Sequence, residues 1–204
     1  GVRLTAKDNV GNTCASDMTF IWETTVPTVS IGQDIFTNKE ILIDAATVDG
    51  DSFSWSMVSV PGVITFSDPT SEDTRVSASA DGTYVLRLTI TTDSGVIASD
   101  EINFTWDSTP PTIDLGQDIA RKYRASIDAH TSGGINYEWK KLSGPGNVIF
   151  SSPSSEDTAL IVDQAGDYEI GLSVTDQTGN TALDRVAITF DYDIRVFAKQ
   201  VSSG

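Results

Sequence analysis

Tyr84-Val85-Leu86-Arg87-Leu88-Thr89-Ile90 alternates residue by residue: Tyr84, Leu86, Leu88 and Ile90 fall on one face of an extended chain, Val85, Arg87 and Thr89 on the other. That is a half-buried strand. The stretch recurs 84 residues later as Tyr168-Glu169-Ile170-Gly171-Leu172-Ser173-Val174, and its surroundings recur with it. Trp55 returns as Trp139, Phe53 as Tyr137, Phe66 as Phe150, Pro69 as Pro153 and Gly82 as Gly166. Ser71-Glu72-Asp73-Thr74 returns as Ser155-Glu156-Asp157-Thr158, and Gly32-Gln33-Asp34-Ile35 as Gly116-Gln117-Asp118-Ile119. Backwards, Leu86-Arg87-Leu88-Thr89 maps onto Val2-Arg3-Leu4-Thr5, Gly95 onto Gly11, Phe104 onto Phe20 and Trp106 onto Trp22. An ungapped period of this length identifies tandem modules.

Within one period the alternation is that of strands, broken by Asp49-Gly50-Asp51, Asp81-Gly82 and Asp93-Ser94-Gly95, whose residues suit reversals. Strands are expected near 29–35, 40–46, 52–59, 63–66, 74–79, 83–91 and 96–106, and again one period later. Seven short strands per module predict an all-β, two-sheet sandwich in an elongated array. The expected layout is a two-strand ribbon with linker over 1–26, repeats over 27–109 and 110–193, and an extension over 194–204 in which Ile194-Arg195-Val196-Phe197-Ala198 alternates as an extra strand. With 204 residues the chain spans fewer than three periods and reads as a segment of a longer array.

The formal net charge is −16, from 29 acidic and 13 basic residues, which repels phosphate backbones and anionic lipid and makes nucleic acid a poor candidate partner. One cysteine, Cys14, leaves neither full repeat able to form a disulfide. No apolar run is long enough to cross a bilayer.

The second repeat carries Tyr137-Glu138-Trp139, then Leu142-Ser143-Gly144-Pro145-Gly146, then Gly166-Asp167-Tyr168 through Val174-Thr175-Asp176, and closes with Gly179-Asn180 and Asp184. This series resembles the polycystic kidney disease (PKD) repeat and related bacterial immunoglobulin-like modules. The first repeat matches less closely, with Val60-Pro61-Gly62 and Thr92-Asp93-Ser94-Gly95 at the corresponding places. The resemblance implies an immunoglobulin-like sandwich with Ile43 and Leu86 near the positions of the usual inter-sheet cysteines. It also implies an extracellular or cell-surface setting.

Catalytic chemistry has little to work with. His130 is the only histidine and stands before the Ser132-Gly133-Gly134 turn, with no counterpart in the other repeat. There is no phosphate loop, paired-cysteine motif or basic aromatic stripe. One candidate site remains, Ca²⁺ at the joints between repeats. In this topology the loop between strands two and three, the loop between strands six and seven and the incoming linker share one end. For the first repeat that gathers Glu23, Asp49, Asp51 and Asp93; for the second, Asp107 and Asp176 with Ser132. Calcium takes six to eight oxygens, which carboxylates, carbonyls and water supply together. The alternative is that these Asp and Gly residues are turn formers only.

The linkers Glu23-Thr24-Thr25-Val26-Pro27-Thr28 and Asp107-Ser108-Thr109-Pro110-Pro111-Thr112 hold prolines, which restrict the joints. Asn103-Phe104-Thr105 fits an N-glycosylation acceptor. Met18, Phe20 and Trp22 on the ribbon need a cover, from the first repeat, a neighbouring chain or a swapped partner. These features predict a non-enzymatic spacer in an adhesion-related surface protein, whose partners are neighbouring repeats and a surface protein or glycan. The alternative is a polysaccharide- or protein-binding accessory module. Trp22, Trp55, Trp106 and Trp139 all fall on inward positions, which leaves Tyr123 and Tyr192 to stack on sugars.

Overall fold

The computed structural model describes residues 1–19, 25–58 and 62–191. Phe20, Trp22, Glu23, Val60, Pro61, Tyr192 and the expected strand over 194–198 lie outside them. Among the described residues every regular element is a strand, as the period-2 patterning requires. The ribbon is β1 (Val2–Lys7) and β2 (Thr13–Met18). The first repeat holds β3 (Thr28–Ser30), β4 (Ile35–Thr37), β5 (Ile41–Ile43), β6 (Ala46–Val48), β7 (Ser52–Met57), β8 (Ile64–Phe66), β9 (Thr74–Ala78), β10 (Gly82–Thr91) and β11 (Ile97–Trp106). The second holds β12 (Thr112–Asp114), β13 (Ile119–Arg121), β14 (Arg124–Ile127), β15 (His130–Ser132), β16 (Asn136–Ser143), β17 (Val148–Phe150), β18 (Thr158–Val162), β19 (Gly166–Thr175) and β20 (Thr181–Phe190).

The first two strands expected in each repeat are each split in two. Gly32 and Gly116, with φ of 88° and 75°, turn the chain where a continuous strand was expected. In the second repeat β12 pairs antiparallel with β15, while β13 crosses to pair parallel with β20, Ile119 opposite Ile188. Sheet orders are β13-β20-β19-β16 and β14-β18-β17 in the second repeat, and β4-β11-β10-β7 and β5-β9-β8 in the first. By its contacts the chain forms two compact units, Gly1–Ile35 with Lys39–Thr105, and Phe36–Asn38 with Trp106–Gly204.

Each core is built from the alternating faces. Tyr84, Leu86, Leu88 and Ile90 are fully buried in β10, as are Tyr168, Ile170, Leu172 and Val174 in β19. Ile43 and Leu86, at the positions of the usual cysteines, are buried as well. The ring pairs recur too: Trp55 with Phe66 at 6.0 Å and Trp139 with Phe150 at 6.4 Å. Trp106, expected inward, is only half-buried.

Tyr84 Oη donates to the carbonyl of Ala80 and Tyr168 Oη to that of Gln164, each four residues back. Tyr168 Oη also accepts from the amide of Gly146. The Ser-Gly-Pro-Gly segment therefore has a steric purpose. At Gly144 (φ 131°) a β-carbon would come within 2.4 Å of the Tyr168 ring.

The ribbon repeats the β19–β20 hairpin in register. Val2 faces Met18 as Ile170 faces Val186, and Leu4 faces Ser16 as Leu172 faces Asp184. Its would-be core face is open: Leu4 is 71% exposed where Leu172 is buried. Every described residue of β1 and β2 is exposed, so β1 and β2 are not covered by the first repeat.

Candidate functional site

The shared Ser-Glu-Asp-Thr motif divides its work among all four residues. The Ser71 carbonyl accepts from Trp55 Nε1 at 3.0 Å, and that of Ser155 from Trp139 Nε1 at 2.9 Å. Glu72 accepts from the Thr47 hydroxyl, and Glu156 from the amide and hydroxyl of Thr131. Asp73 and Asp157 accept from the amides of Ala45 and Ala129, each at 3.0 Å. The Thr74 and Thr158 hydroxyls, both buried, accept from the amides of Asp68 and Ser152. Two more carboxylates recur in this way. Asp34 and Asp118 receive the amides of Asn103 and Ala187, and Asp100 and Asp184 those of Ile31 and Leu115. Carboxylates that composition leaves available for a cation thus stabilise the sandwich, because an unpaired backbone N–H is costly inside it.

The residues singled out for calcium divide into two groups, with Glu23 outside the described residues. In the first repeat Asp51 Oδ2 accepts the amide of Asp93 at 2.6 Å, which brings those two loops together. Asp49, in the same turn as Asp51, adopts a φ of 59°, a turn conformation. In the second repeat Asp107 and Asp176 line one cleft of about 260 Å³ with Ser132 and Pro111. Among the described residues no group of three or more His, Cys, Asp or Glu side chains is placed to hold a metal.

Asp176 is instead the centre of a hydrogen-bonded turn, 7% exposed. Its Oδ1 accepts from the amides of Thr178, Gly179 and Asn180 at 2.8–2.9 Å and from the Thr178 hydroxyl. Its Oδ2 accepts from Asn180 Nδ2 at 2.9 Å. Burial pushes its pKa up, but the donors from Asn180, Thr178 and Gly179 outweigh that and hold the carboxyl below the usual carboxylate range.

The same turn grips the linker. Asn180 Nδ2 donates to the Asp107 carbonyl at 2.7 Å and reaches that of Thr109, and the Thr178 hydroxyl donates to Asp107 as well. This clasp fixes the linker just before Pro110-Pro111. Asp107 therefore contributes its backbone carbonyl here, while its carboxylate caps the amide of Thr109.

Asn180 enters the sequence reading only as part of the Gly179-Asn180 element that carries the resemblance and not as a site residue, although a signal for that role existed. The ribbon has the same turn, where Asp8 accepts from the amides of Val10 and Asn12 and from Asn12 Nδ2, lowering its pKa. In the first repeat Thr92 and Val96 replace Asp and Asn. There the Thr92 hydroxyl accepts the amide of Val96 at 3.1 Å.

His130 is exposed and lies in β15, opposite Asp114. Cys14 is exposed on β2. Trp55 and Trp139 are 4% and 3% exposed, whereas Tyr123 is 59% exposed. No helix among the described residues is long and apolar enough to cross a membrane.

No curated protein matches the chain in sequence. Among solved structures, the PKD domain from the KIAA 1837 protein is 21% identical, covering 49% of this chain and 99% of its own, at a TM-score of 0.37. Fibronectin(III)-like modules of Clostridium thermocellum CbhA are 14% identical over 81% of this chain and 94% of theirs, at 0.42. A C-terminal fragment of intimin, solved with the intimin-binding domain of its translocated receptor, is 16% identical over 82% and 64%, at 0.43. The K319L-like, PKD domain family matches residues 33–105 and 123–190, one stretch in each repeat and more than half of the chain, and the chain belongs to that family.

Proposed function

We propose that this chain is a non-enzymatic spacer segment of a larger extracellular or cell-surface protein, adhesion-related, in which PKD repeats carry other domains at a distance. Tandem domains of this type are typical of extracellular, adhesion-type proteins. One observation carries the reading: the groups best suited to act on a substrate are already committed to the chain's own backbone. Trp55 and Trp139 are buried with their N–H groups bonded, and the shared carboxylates cap amides. The clasp on the Asp107 and Thr109 carbonyls adds a held entry to the second repeat.

Pulling the chain end to end with a single-molecule force probe tests this. Two separate unfolding events are expected, each releasing an 84-residue repeat, or about 280–300 Å of extended chain. Saturable binding of a soluble polysaccharide that protects the Tyr123 region from exchange would replace the spacer with an accessory binding module. Calcium is the one cofactor this reading admits. The close approach of Asp51 and Asp93 supports it at the first joint, with Asp49 and Glu23 as further ligands. Self-association through the open face of β1 and β2 belongs to the same proposal.

A further inference from the structure

The two repeats share a core but differ on one outer face. In the second repeat the outward side chains of the three-stranded sheet form a row, Arg124 on β14 opposite Ile161 on β18, itself opposite Ile149 on β17. Ile149 is 64% and Ile161 46% exposed. Two clefts of about 210 Å³ each flank this pair, one reaching Arg124 and Ala159, the other Asn147 and Asp163. One period earlier the same positions hold Glu40, Ser77 and Thr65, and Arg75 replaces Ala159 and pairs with Glu40 at 3.7 Å. At these positions the first repeat is polar and charge-paired, with Leu42, opposite Arg75, 48% exposed beside them. The second repeat is apolar there, although the common fold does not require it.

Charge selects the occupant. Arg121, Lys122 and Arg124 put three cations within four residues, which no other window of this −16 chain does. Among the described residues none of the three has an ion-pair partner. At the opposite end Asp163 is occupied by the amide and side chain of Asn147.

We propose that this face docks an extended polypeptide segment of a partner protein, acidic at the end over Arg124 and Lys122 and aliphatic over Ile149 and Ile161. Isoleucines exclude water from aliphatic side chains but offer a sugar neither a ring face nor a hydrogen bond, which favours a polypeptide over an anionic glycan. Attraction at the cationic end then sets direction as well as rate. The inference goes beyond the spacer reading, which stands whether or not the face is used.

The test titrates the full chain with a labelled octapeptide of two glutamates followed by valines alternating with serines and ending in lysine. A second octapeptide with the charged ends exchanged serves as control, and anisotropy is the readout. Saturable binding of the first peptide is expected, weakening as salt rises from about 0.05 to 0.5 M. The double variant I149T/I161S installs the residues of the first repeat, so it should fold normally and bind at least about tenfold more weakly. Arg124→Glu should reverse the preference between the two peptides. Absence of saturation below about 1 mM, equal binding by the double variant, or binding of polygalacturonate alone would overturn the proposal.

Discussion

Replacing Asp176 with alanine should cost the second repeat far more than an ordinary loop substitution. The carboxylate accepts three backbone amides, one hydroxyl and one side-chain amide, and it is nearly sealed from water. Hydrogen bonds to a charged acceptor contribute about 1.5–3 kcal/mol each, and water recovers part of the loss at a turn. The expected destabilisation is therefore about 2–4 kcal/mol, or about 10–25 °C in melting temperature for a unit of this size. Hydrogen exchange followed peptide by peptide through a urea series reads the two repeats separately, so β19 and β20 should lose protection while β10 and β11 do not. The pH dependence provides a second signature. Because the folded carboxyl titrates below its ordinary value, its contribution is complete above about pH 4 and is lost as pH falls through the depressed value. Wild type and variant should accordingly converge in strong acid and separate above it. A loss below about 0.5 kcal/mol, or a difference that is flat with pH, would refute the argument that this turn is held by its charge.

Tyr168→Phe, which removes the bond to Gln164 and the acceptor for Gly146, should destabilise the second repeat by about 1–2 kcal/mol in urea denaturation. Gly144→Ala should cost more than that, because the left-handed backbone and the Tyr168 ring both oppose a β-carbon, and calorimetry reads the loss directly. Calcium at the first joint predicts that millimolar Ca²⁺ raises the melting temperature of the first repeat, that chelator reverses it, and that Asp51→Asn with Asp93→Asn abolishes the effect. Identical melting in Ca²⁺ and chelator dismisses that site.

The sandwich was legible because burial repeats with the sequence: Tyr84 and Tyr168, Trp55 and Trp139 stand on inward alternate positions, and periodicity reports that directly. The split of the early strands was less visible. Gly32 marks it, yet a single glycine inside an alternating run also fits a continuous strand. The carboxylates were the hardest to place, since their partners are amides some 25 to 70 residues away that no local pattern reveals. A rule emerges from the comparison of the repeats. Acidic residues present at equal offsets, such as Asp73 and Asp157, serve the common fold, and only unshared ones such as Asp49, Asp51 and Asp93 were open to a special role. Asn180 contributes to the resemblance but not to the candidate site residues because an amide side chain carries no charge, although Asn12 repeats it in the same turn.

The ungapped 84-residue offset has a genetic consequence. Joining a residue of one repeat to the position 84 places along in its neighbour yields a hybrid in which the tryptophan shared as Trp55 and Trp139 still meets its carbonyl and the carboxylate shared as Asp73 and Asp157 its amide. Unequal crossover in the coding sequence can therefore lengthen or shorten such a protein by whole units wherever the break falls, so its reach can change between generations without a new folding problem to solve.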